Sequence, residues 1–280
     1  MNIHPSSVVE PGANIHPDAV IGPLCYIGPK VTIGAGTRLI SHVSILGRTT
    51  IGKNNVIWPG AVLGADPQDL KFHGEDAELI LGDENDIREC VTIHIGTENG
   101  GGVTRVGSNN LIMAYVHAGH DCIIGNHCII ANAVQLAGHI RIEDHANIGG
   151  ATAVHHYVTI GQYSFVGGMT PVVRDVPPFM VVAGNPQRVR GVNTIGLERH
   201  RFPAETQDRL KDAWRRLFKT SNEENGVGAT NQALAELQEL YPDDECIHLL
   251  IQAIRNAAIG TYGRYREASR KDDRYHNPVR

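Results

Sequence analysis

Two histidines and a carboxylate lie within five residues of one another, in the stretch Val116-His117-Ala118-Gly119-His120-Asp121-Cys122. An imidazole titrates near neutral pH and can act as a general base, while an adjacent carboxylate can fix its tautomer and stabilise the imidazolium. His120 and Asp121 have this composition. Three imidazoles can instead hold a zinc ion with its fourth position open. His94, His117 and His120 are the candidates for such a site, and spacing alone does not choose between the two.

The sequence around these histidines repeats with a period of six residues. From Val106 to Val172 every sixth residue is a branched aliphatic, except for Ala118. The same six-residue period holds without exception from Val9 to Leu63. A helix places apolar residues three or four apart and a half-buried strand places them two apart. The period of six therefore predicts a solenoid of short straight segments.

Each six-residue unit is predicted to form one side of a triangular coil, with its aliphatic residue pointing inward. Three units make a coil of about eighteen residues, and stacked coils bury an aliphatic prism that a single coil could not bury. Glycine follows several of the aliphatics, as in Ile21-Gly22 and Ile51-Gly52. At these places glycine supplies either a positive φ or a close approach of the backbone.

Two segments are predicted to leave the solenoid as loops. In the first, about residues 65–78, the in-phase positions are acidic, and an unpaired acidic residue cannot occupy the prism axis. The second, about residues 94–105, is glycine-rich and one residue too long for the phase. Long loops on a rigid scaffold often carry function. Asp69 and Lys71 in the first loop can bind sugar hydroxyls and a phosphate, although a solvated turn has the same composition.

Four histidines are spaced so that they can line one vertical edge of the stack: His117, His120, His139 and His155. The step from 120 to 139 is nineteen residues and that from 139 to 155 is sixteen, each close to one coil. A row of imidazoles beside an extruded loop is a candidate site. Stacked surface histidines are the alternative.

The pattern changes near residue 194, where apolar residues begin to recur three or four positions apart. We therefore divide the chain into an all-β solenoid of residues 1–193 and a small helical domain of residues 194–280. The tail from Tyr262 to Arg280 is polar and weakly patterned, and we expect it to be loosely held.

Positive charge is concentrated in the helical domain, where Arg209, Arg215 and Arg216 lie within eight residues. This cluster predicts a docking surface for an acidic partner. The outer face of an ordinary charged helix is the alternative.

Composition narrows the possible functions. Of 280 residues 41% are hydrophobic but only 5% are aromatic, which fits a narrow aliphatic interior. The net charge of -5 gives no reason to expect a nucleic-acid partner, and no apolar run is long enough to span a membrane. The five cysteines include no C-x-x-C pair, so reduced thiols are expected. Because the N-terminal segment lacks the features of a secretory signal, we expect a cytoplasmic protein.

Taken in order, the motifs resemble those of the cytosolic UDP-N-acetylglucosamine 3-O-acyltransferases, which begin lipid A synthesis in Gram-negative bacteria. The resemblance spans nearly the whole chain, including both domains. It rests on Pro67-Gln68-Asp69-Leu70-Lys71-Phe72, Arg88-Glu89-Cys90-Val91-Thr92-Ile93-His94, Gly100-Gly101-Gly102, Ala118-Gly119-His120-Asp121-Cys122, Leu136-Ala137-Gly138-His139, Gly149-Gly150-Ala151-Thr152-Ala153-Val154-His155, Asp175-Val176-Pro177-Pro178 and Gly191-Val192-Asn193. It implies a left-handed parallel β-helix followed by an all-α domain, and a homotrimer with active sites between subunits.

The resemblance also implies a reaction. A 3-hydroxyacyl chain would pass from acyl carrier protein to the glucosamine 3-hydroxyl of UDP-N-acetylglucosamine. No metal is implied, and no cofactor beyond the phosphopantetheine that carries the donor. His120 would be the general base, Asp121 would orient it, and the N–H of Gly138 would stabilise the oxyanion. The residues implied in binding the substrates are Gln68, Asp69, Lys71, His117, His139, His155, Asn193 and Arg199.

A further implication concerns the length of the acyl chain. In the family, the position after Val166-Gly167 forms the floor of the acyl pocket, where a bulky side chain stops long chains. Here that position is Gly168, so a chain of roughly myristoyl length is expected. The flexible Met169 beside it can close part of the groove.

Three residues depart from the family pattern: His156, Ile195 and His200, where Gln, an acidic residue and Arg are usual. They leave the predicted base and the sugar loop intact, and they fall on the nucleotide and carrier contacts. The main alternative function is a zinc-dependent enzyme resembling the γ-class carbonic anhydrases, which would need three histidine ligands. A purely structural solenoid would have no polar edge. An acyltransferase that uses a 3-amino UDP-sugar would need only small changes near the first loop.

Overall fold

The computed structural model describes residues 2–219 and 231–270. The chain folds as a left-handed parallel β-helix followed by a small helical domain, so the predicted fold class is confirmed. Within the described residues the strands form three sheets of eleven, nine and eight strands, one for each side of the coil. At the end of the largest sheet Arg188–Val192 turns back and pairs antiparallel with Met180–Ala183.

The strands are short, and most have two residues. The first sheet contains Asn2–Ile3, Val20–Ile21, Arg38–Leu39, Val56–Ile57, Asp86–Ile87, Leu111–Ile112, Ile129–Ile130, Asn147–Ile148, Phe165–Val166, Met180–Ala183 and Arg188–Val192. The second contains Val8–Val9, Tyr26–Ile27, Ser44–Ile45, Val62–Ala65, Thr92–His94, His117–Ala118, Gln135–Leu136, Ala153–Val154 and Pro171–Val172. The third contains Asn14–Ile15, Val31–Ile33, Arg48–Ile51, Glu78–Leu81, Val103–Val106, Ile123–Ile124, Arg141–Ile142 and Thr159–Ile160.

Neighbouring coils are in strict register. Outside the loops, hydrogen-bonded corner residues are 18 positions apart, so equivalent residues of successive coils lie one above another. The separation rises to 30 across the first loop and 25 across the second. The loops themselves are residues 66–77 and 95–102, slightly shorter than the sequence suggested, because the flanking residues still pair with adjacent coils.

The in-phase aliphatic residues fill the prism, and those from Ile21 to Val172 are all buried. Burial of one such side chain contributes roughly 1.5–3 kcal/mol relative to an exposed one. Each coil shares its buried side chains with the coils above and below, so the stack is the stable unit.

Glycine serves the corners through its small size. Gly22 lies outside the left-handed region, and a Cβ at this position would lie 1.9 Å from the carbonyl oxygen of Ile40 on the next coil. Positive φ occurs three residues after the inward aliphatic, at a few glycines such as Gly36 but mostly at non-glycine residues that include Asp121 (59°) and His139 (63°). Two predicted site residues therefore occupy left-handed corners.

The helical domain has its own apolar core. Its helices are α1 (Thr194–Arg199), α2 (Ala204–Trp214), α3 (Asn231–Leu240) and α4 (Glu245–Ile259), and a π-helical turn, Arg215–Lys219, follows α2. Buried leucines and isoleucines of these helices pack with Phe179 and Met180 of the last coil. None of the described helices is both long and apolar enough to cross a membrane.

The prediction of a loosely held tail is wrong for residues 262–270. This segment contains a 3₁₀ turn, Tyr265–Ser269, and Arg264 and Glu267 are both buried. The polar residues of this segment are held in place because they pair with one another and with corners of the β-helix. Residues 271–280, the rest of the predicted tail, lie outside the described residues.

Candidate active site

Two columns of residues run along one edge of the β-helix. Those of the histidine column each lie two positions after an inward aliphatic: His120, Gly138 and His156. Those of the corner column lie one position later: Asp121, His139, Tyr157 and Asp175. The parallel register places the members of each column on successive coils. Both loops reach this edge.

His120 lies at the centre of the site. Its side chain is only 11% exposed, and its Nδ1 is 2.7 Å from Oδ2 of Asp121. Its Nε2 is 3.8 Å from Oδ2 of Asp69 in the first loop. Since an ionised carboxylate only accepts hydrogen bonds, Nδ1 is the donor and Nε2 is the nitrogen able to take up a proton. A Cβ on Gly138 would lie 2.7 Å from this ring, so the neighbouring coil needs glycine here.

The second loop holds Asp121 in place. The Thr97 N–H donates to Oδ1 over 2.8 Å, and the Thr97 hydroxyl donates to Oδ2 over 2.6 Å. Burial acts to raise the pKa of Asp121, but hydrogen bonds from His120 and Thr97 lower it below its ordinary value. A Cβ on Gly100 would lie 1.9 Å from the Asp121 carboxyl carbon. The glycine-rich run therefore lets the loop pass directly over this carboxylate.

The first loop closes the opposite side. Asp69 accepts a hydrogen bond from the backbone N–H of Lys71 over 3.0 Å, and the Lys71 ammonium is 3.5 Å from Oδ2 of Asp69. A cleft of about 430 Å³ lies between this loop and the columns. It is lined by Gln68, Asp69, Leu70, Lys71, His120, His139, His156, Tyr157 and Arg270.

His139 adjoins His120 from the next coil. The two rings meet edge to face at 4.9 Å, and the other face of His139 stacks on Tyr157 at 4.4 Å. Burial lowers the pKa of His139 to about 4, which keeps this imidazole neutral at physiological pH. His139 therefore contributes a neutral polar wall beside the base.

Of the predicted histidine row, His155 does not line the cleft. Its side chain is exposed and its Nδ1 lies 3.1 Å from the backbone oxygen of His156. His156 lines the cleft instead, because it is the residue 18 positions after Gly138. The spacings of nineteen and sixteen residues link positions that belong to different columns. A strict step of eighteen residues from Gly138 leads to His156 instead.

His117 faces a neighbouring part of the edge. Its Nδ1 is 2.8 Å from the hydroxyl of Thr92, and its ring meets that of His94 edge to face. Burial lowers the pKa of both, that of His94 to about 4. Their ligand atoms do not converge with those of His120 as the zinc alternative requires. Among the described residues the one group of three close enough to share a cation is His120, Asp121 and His139.

Curated relatives of known family cover most of the chain. An acyl-(acyl-carrier-protein)–UDP-N-acetylglucosamine O-acyltransferase of Verminephrobacter eiseniae is 46% identical over 86% of this chain and 91% of its own length. The enzyme of the same name from Anaeromyxobacter is 49% identical over 79% of this chain and 86% of its own. The chain belongs to this acyltransferase family.

Family profiles and solved structures agree with this assignment. The second domain of UDP-N-acetylglucosamine O-acyltransferases matches residues 175–262, and the bacterial transferase hexapeptide repeat matches residues 104–138. The UDP-N-acetylglucosamine O-acyltransferase of Moraxella catarrhalis has a TM-score of 0.85 and 40% identity, covering 91% of this chain and 97% of that one. Among the predictions this supports the acyltransferase over the zinc-dependent alternative.

Two residues predicted from the acyltransferase resemblance lie in a different cleft. Asn193 and Arg199 border a space of about 450 Å³ together with His145, Tyr163 and His200. The Asn193 carboxamide caps α1 by accepting from the Gly196 N–H, and it donates to the Tyr163 carbonyl over 2.8 Å. The fold of the single chain therefore does not bring these residues to His120.

The two residues predicted to set the acyl-chain length, Gly168 and Met169, follow Phe165–Val166, the ninth strand of the first sheet. A Cβ on Gly168 would be 3.0 Å from the carbonyl oxygen of Gly150, so this corner has little room for a side chain. Met169 is 80% exposed.

The predicted docking arginines differ in their surroundings. Arg209 pairs with Glu205 and with Asp244, and Arg216 pairs with Asp212 over 2.8 Å. These carboxylates of the same domain offset most of the positive charge that the sequence cluster suggested. Arg215 is exposed and is the remaining candidate for docking.

Proposed function

We propose that this chain transfers a 3-hydroxyacyl group from acyl carrier protein to the glucosamine 3-hydroxyl of UDP-N-acetylglucosamine, the first step of lipid A biosynthesis. Family membership supports the substrate pair, because the named relatives act on acyl carrier protein and this UDP-sugar. The observation that carries the mechanism is the buried His120–Asp121 pair, with Nε2 of His120 directed to the cleft beside Asp69.

In the proposed mechanism His120 Nε2 removes the proton from the sugar 3-hydroxyl. The ionised Asp121 accepts the Nδ1 hydrogen bond and stabilises the imidazolium that forms. The alkoxide attacks the thioester carbon, and the resulting oxyanion lies near the N–H of Gly138. When this intermediate collapses, the C–S bond breaks and the departing phosphopantetheine sulfur takes the proton from His120. The new ester and the free thiol are the products.

Substrate positioning follows from the two loops. Asp69 and Gln68 are assigned to the sugar hydroxyls, and Lys71 with His117 and His139 to the sugar and phosphates. Burial keeps His139 uncharged, so it can serve as a hydrogen-bonding partner without repelling the imidazolium of His120. His156 takes the place that the sequence gave to His155.

The separate cleft at Asn193 and Arg199 supports a homotrimeric assembly. Residues that bind the nucleotide or the phosphopantetheine arm need to reach the reacting groups, and within one protomer they lie apart. We assign them to the active site of a neighbouring subunit. The protein is further proposed to act in the cytoplasm, where its acyl donor brings its own phosphopantetheine and no additional cofactor is needed.

The deciding experiment is an acylation assay with purified protein, 3-hydroxyacyl carrier protein and either UDP-N-acetylglucosamine or its 3-amino analogue. Ester formation on the former supports the proposal, and exclusive amide formation on the latter supports the 3-amino alternative. His120→Ala is expected to lower kcat by ~10²–10⁴-fold, because a positioned general base typically contributes a factor of this size. A circular dichroism spectrum identical to that of wild type checks the fold. Normal turnover by this variant would refute the mechanism.

A further inference from the structure

Residues 261–270, here called the C-terminal arm, lie along the same edge of the β-helix as the proposed active site. The match to the second domain of the family ends at residue 262, so nearly all of the arm lies beyond it. The arm carries three arginines and a single glutamate: Arg264, Arg266, Glu267 and Arg270. No residue of the arm has a part in the mechanism above.

Hydrogen bonds that each involve a backbone group hold the arm against the corner column. The Asp175 N–H donates to the Gly263 carbonyl, and the Asp175 carboxylate accepts from the Tyr265 N–H over 2.8 Å. Two coils away, the Arg266 guanidinium donates to the carbonyl oxygen of His139 over 2.6 Å. The arm therefore runs from the last coil towards His120 and holds the backbone of a residue that touches the base.

Arg270 enters the cleft itself. Its guanidinium lies over the ring of Tyr157, 5.7 Å from the centroid, and it lines the cleft with Lys71 and His156. Glu267, the carboxylate of the arm, pairs with Arg264 and also lies 3.6 Å from the guanidinium of Arg270. Within the arm the charge is unbalanced in favour of the cations.

We propose that the arm forms one wall of the substrate cleft, in which Arg270 binds a phosphate group of the substrates and Arg266 is a positioning residue. A planar guanidinium matches phosphate oxygens in a bidentate manner, and the nearby Lys71 adds a second positive charge. Two phosphates fit this chemistry: the diphosphate of the sugar nucleotide and the phosphodiester of the phosphopantetheine arm. The inference rests on the proposed function for the identity of these substrates.

The test uses the full-length protein with Arg270→Gln, which removes the charge and keeps a polar side chain. We expect KM for one of the two substrates to rise about tenfold, with kcat within about twofold of wild type. A rise for UDP-N-acetylglucosamine assigns Arg270 to the diphosphate, and a rise for acyl carrier protein assigns it to the phosphodiester. Arg270→Lys should recover part of the loss, because it restores charge without the bidentate geometry. Unchanged KM values for both substrates would overturn the proposal.

Arg266→Ala tests the positioning role. It is expected to raise the same KM as Arg270→Gln, because the arm is no longer held at the carbonyl of His139. Arg266→Lys should restore part of this effect, whereas a merely structural role would lower the melting temperature and leave KM unchanged. Arg255→Gln is the matched control, since Arg255 is exposed on α4 and contacts Gln238. It should leave both KM values unchanged.

Direct binding separates this inference from the proposed function. Calorimetry with UDP and with 4′-phosphopantetheine requires no turnover, and pantetheine without phosphate is the control ligand. If wild type fails to acylate the sugar but binds one of these phosphates about tenfold more tightly than Arg270→Gln does, the inference stands and the function is wrong. Equal binding by wild type and Arg270→Gln overturns the inference whatever the activity.

Discussion

Basic and acidic groups lie close together both at the edge of the β-helix that carries His120 and on helix α2. The two regions differ in where along the sequence the partners come from. At the edge, His120 and Asp121 are buried and their partners come from two loops distant in sequence. On α2 and the turn that follows it, Arg209 and Arg216 each pair with a carboxylate four positions earlier on a more exposed helix surface, and Arg209 also pairs with Asp244. Exposed pairs contribute roughly 0–1 kcal/mol, whereas buried ones fix a single geometry. In this molecule charged groups therefore have a proposed role in catalysis only where the tertiary structure buries them.

The largest effect should come from breaking the buried pair. Asp121→Ala is expected to lower kcat roughly 10–10²-fold, less than His120→Ala, because Asp121 orients and polarises the base without receiving the proton. Steady-state kinetics at saturating substrates measure the change. Asp76→Ala is the matched control, since this exposed carboxylate of the first loop pairs with Arg48 on the surface. A loss as large as that of His120→Ala would mean that Asp121 has another role.

A smaller effect is expected at Gly168, which has no side chain and follows a strand of the first sheet. Gly168→Met should shift the preferred donor from roughly fourteen carbons towards ten, because each buried CH₂ adds about 0.8 kcal/mol. A Cβ at this position would already lie 3.0 Å from the carbonyl oxygen of Gly150. Competition between 3-hydroxyacyl donors of different length measures the preference, and KM for the UDP-sugar should be unaffected. If wild type already prefers ten carbons and the variant is unchanged, Met169 or Phe165 sets the length instead.

The smallest effect is expected on the helical surface. Arg215→Glu should raise KM for acyl carrier protein a few-fold at low salt and much less at high salt, because carrier proteins are acidic and salt screens exposed charges. Arg209→Glu is the contrasting variant. It breaks the contact with Asp244, which caps α4, and should lower the melting temperature. Salt-independent kinetics in wild type and Arg215→Glu alike would contradict docking at this surface.

The fold was readable from sequence because its period is local and strict. An aliphatic residue every six positions determines which side chain points inward on each face, and in-phase residues from Ile21 to Val172 are buried. The acidic in-phase positions also marked where the chain leaves the prism. The ordered C-terminal arm had no such period, since it is held by polar contacts to corners made by residues about ninety positions earlier.

The sequence alone determined the candidate base, the loop residue Asp69 and the need for glycine near them, because residue type and the hexad phase limit what each position can do. Only the tertiary structure decided the partners. Thr97 reaches Asp121 from 24 positions away, and Arg266 reaches His139 from 127 positions away. It also replaced His155 by His156 in the lining of the cleft, because His156 is the residue 18 positions after Gly138. Contacts between the columns and the loops depend on how the coils stack in three dimensions. No local sequence pattern encodes which distant residues are brought together.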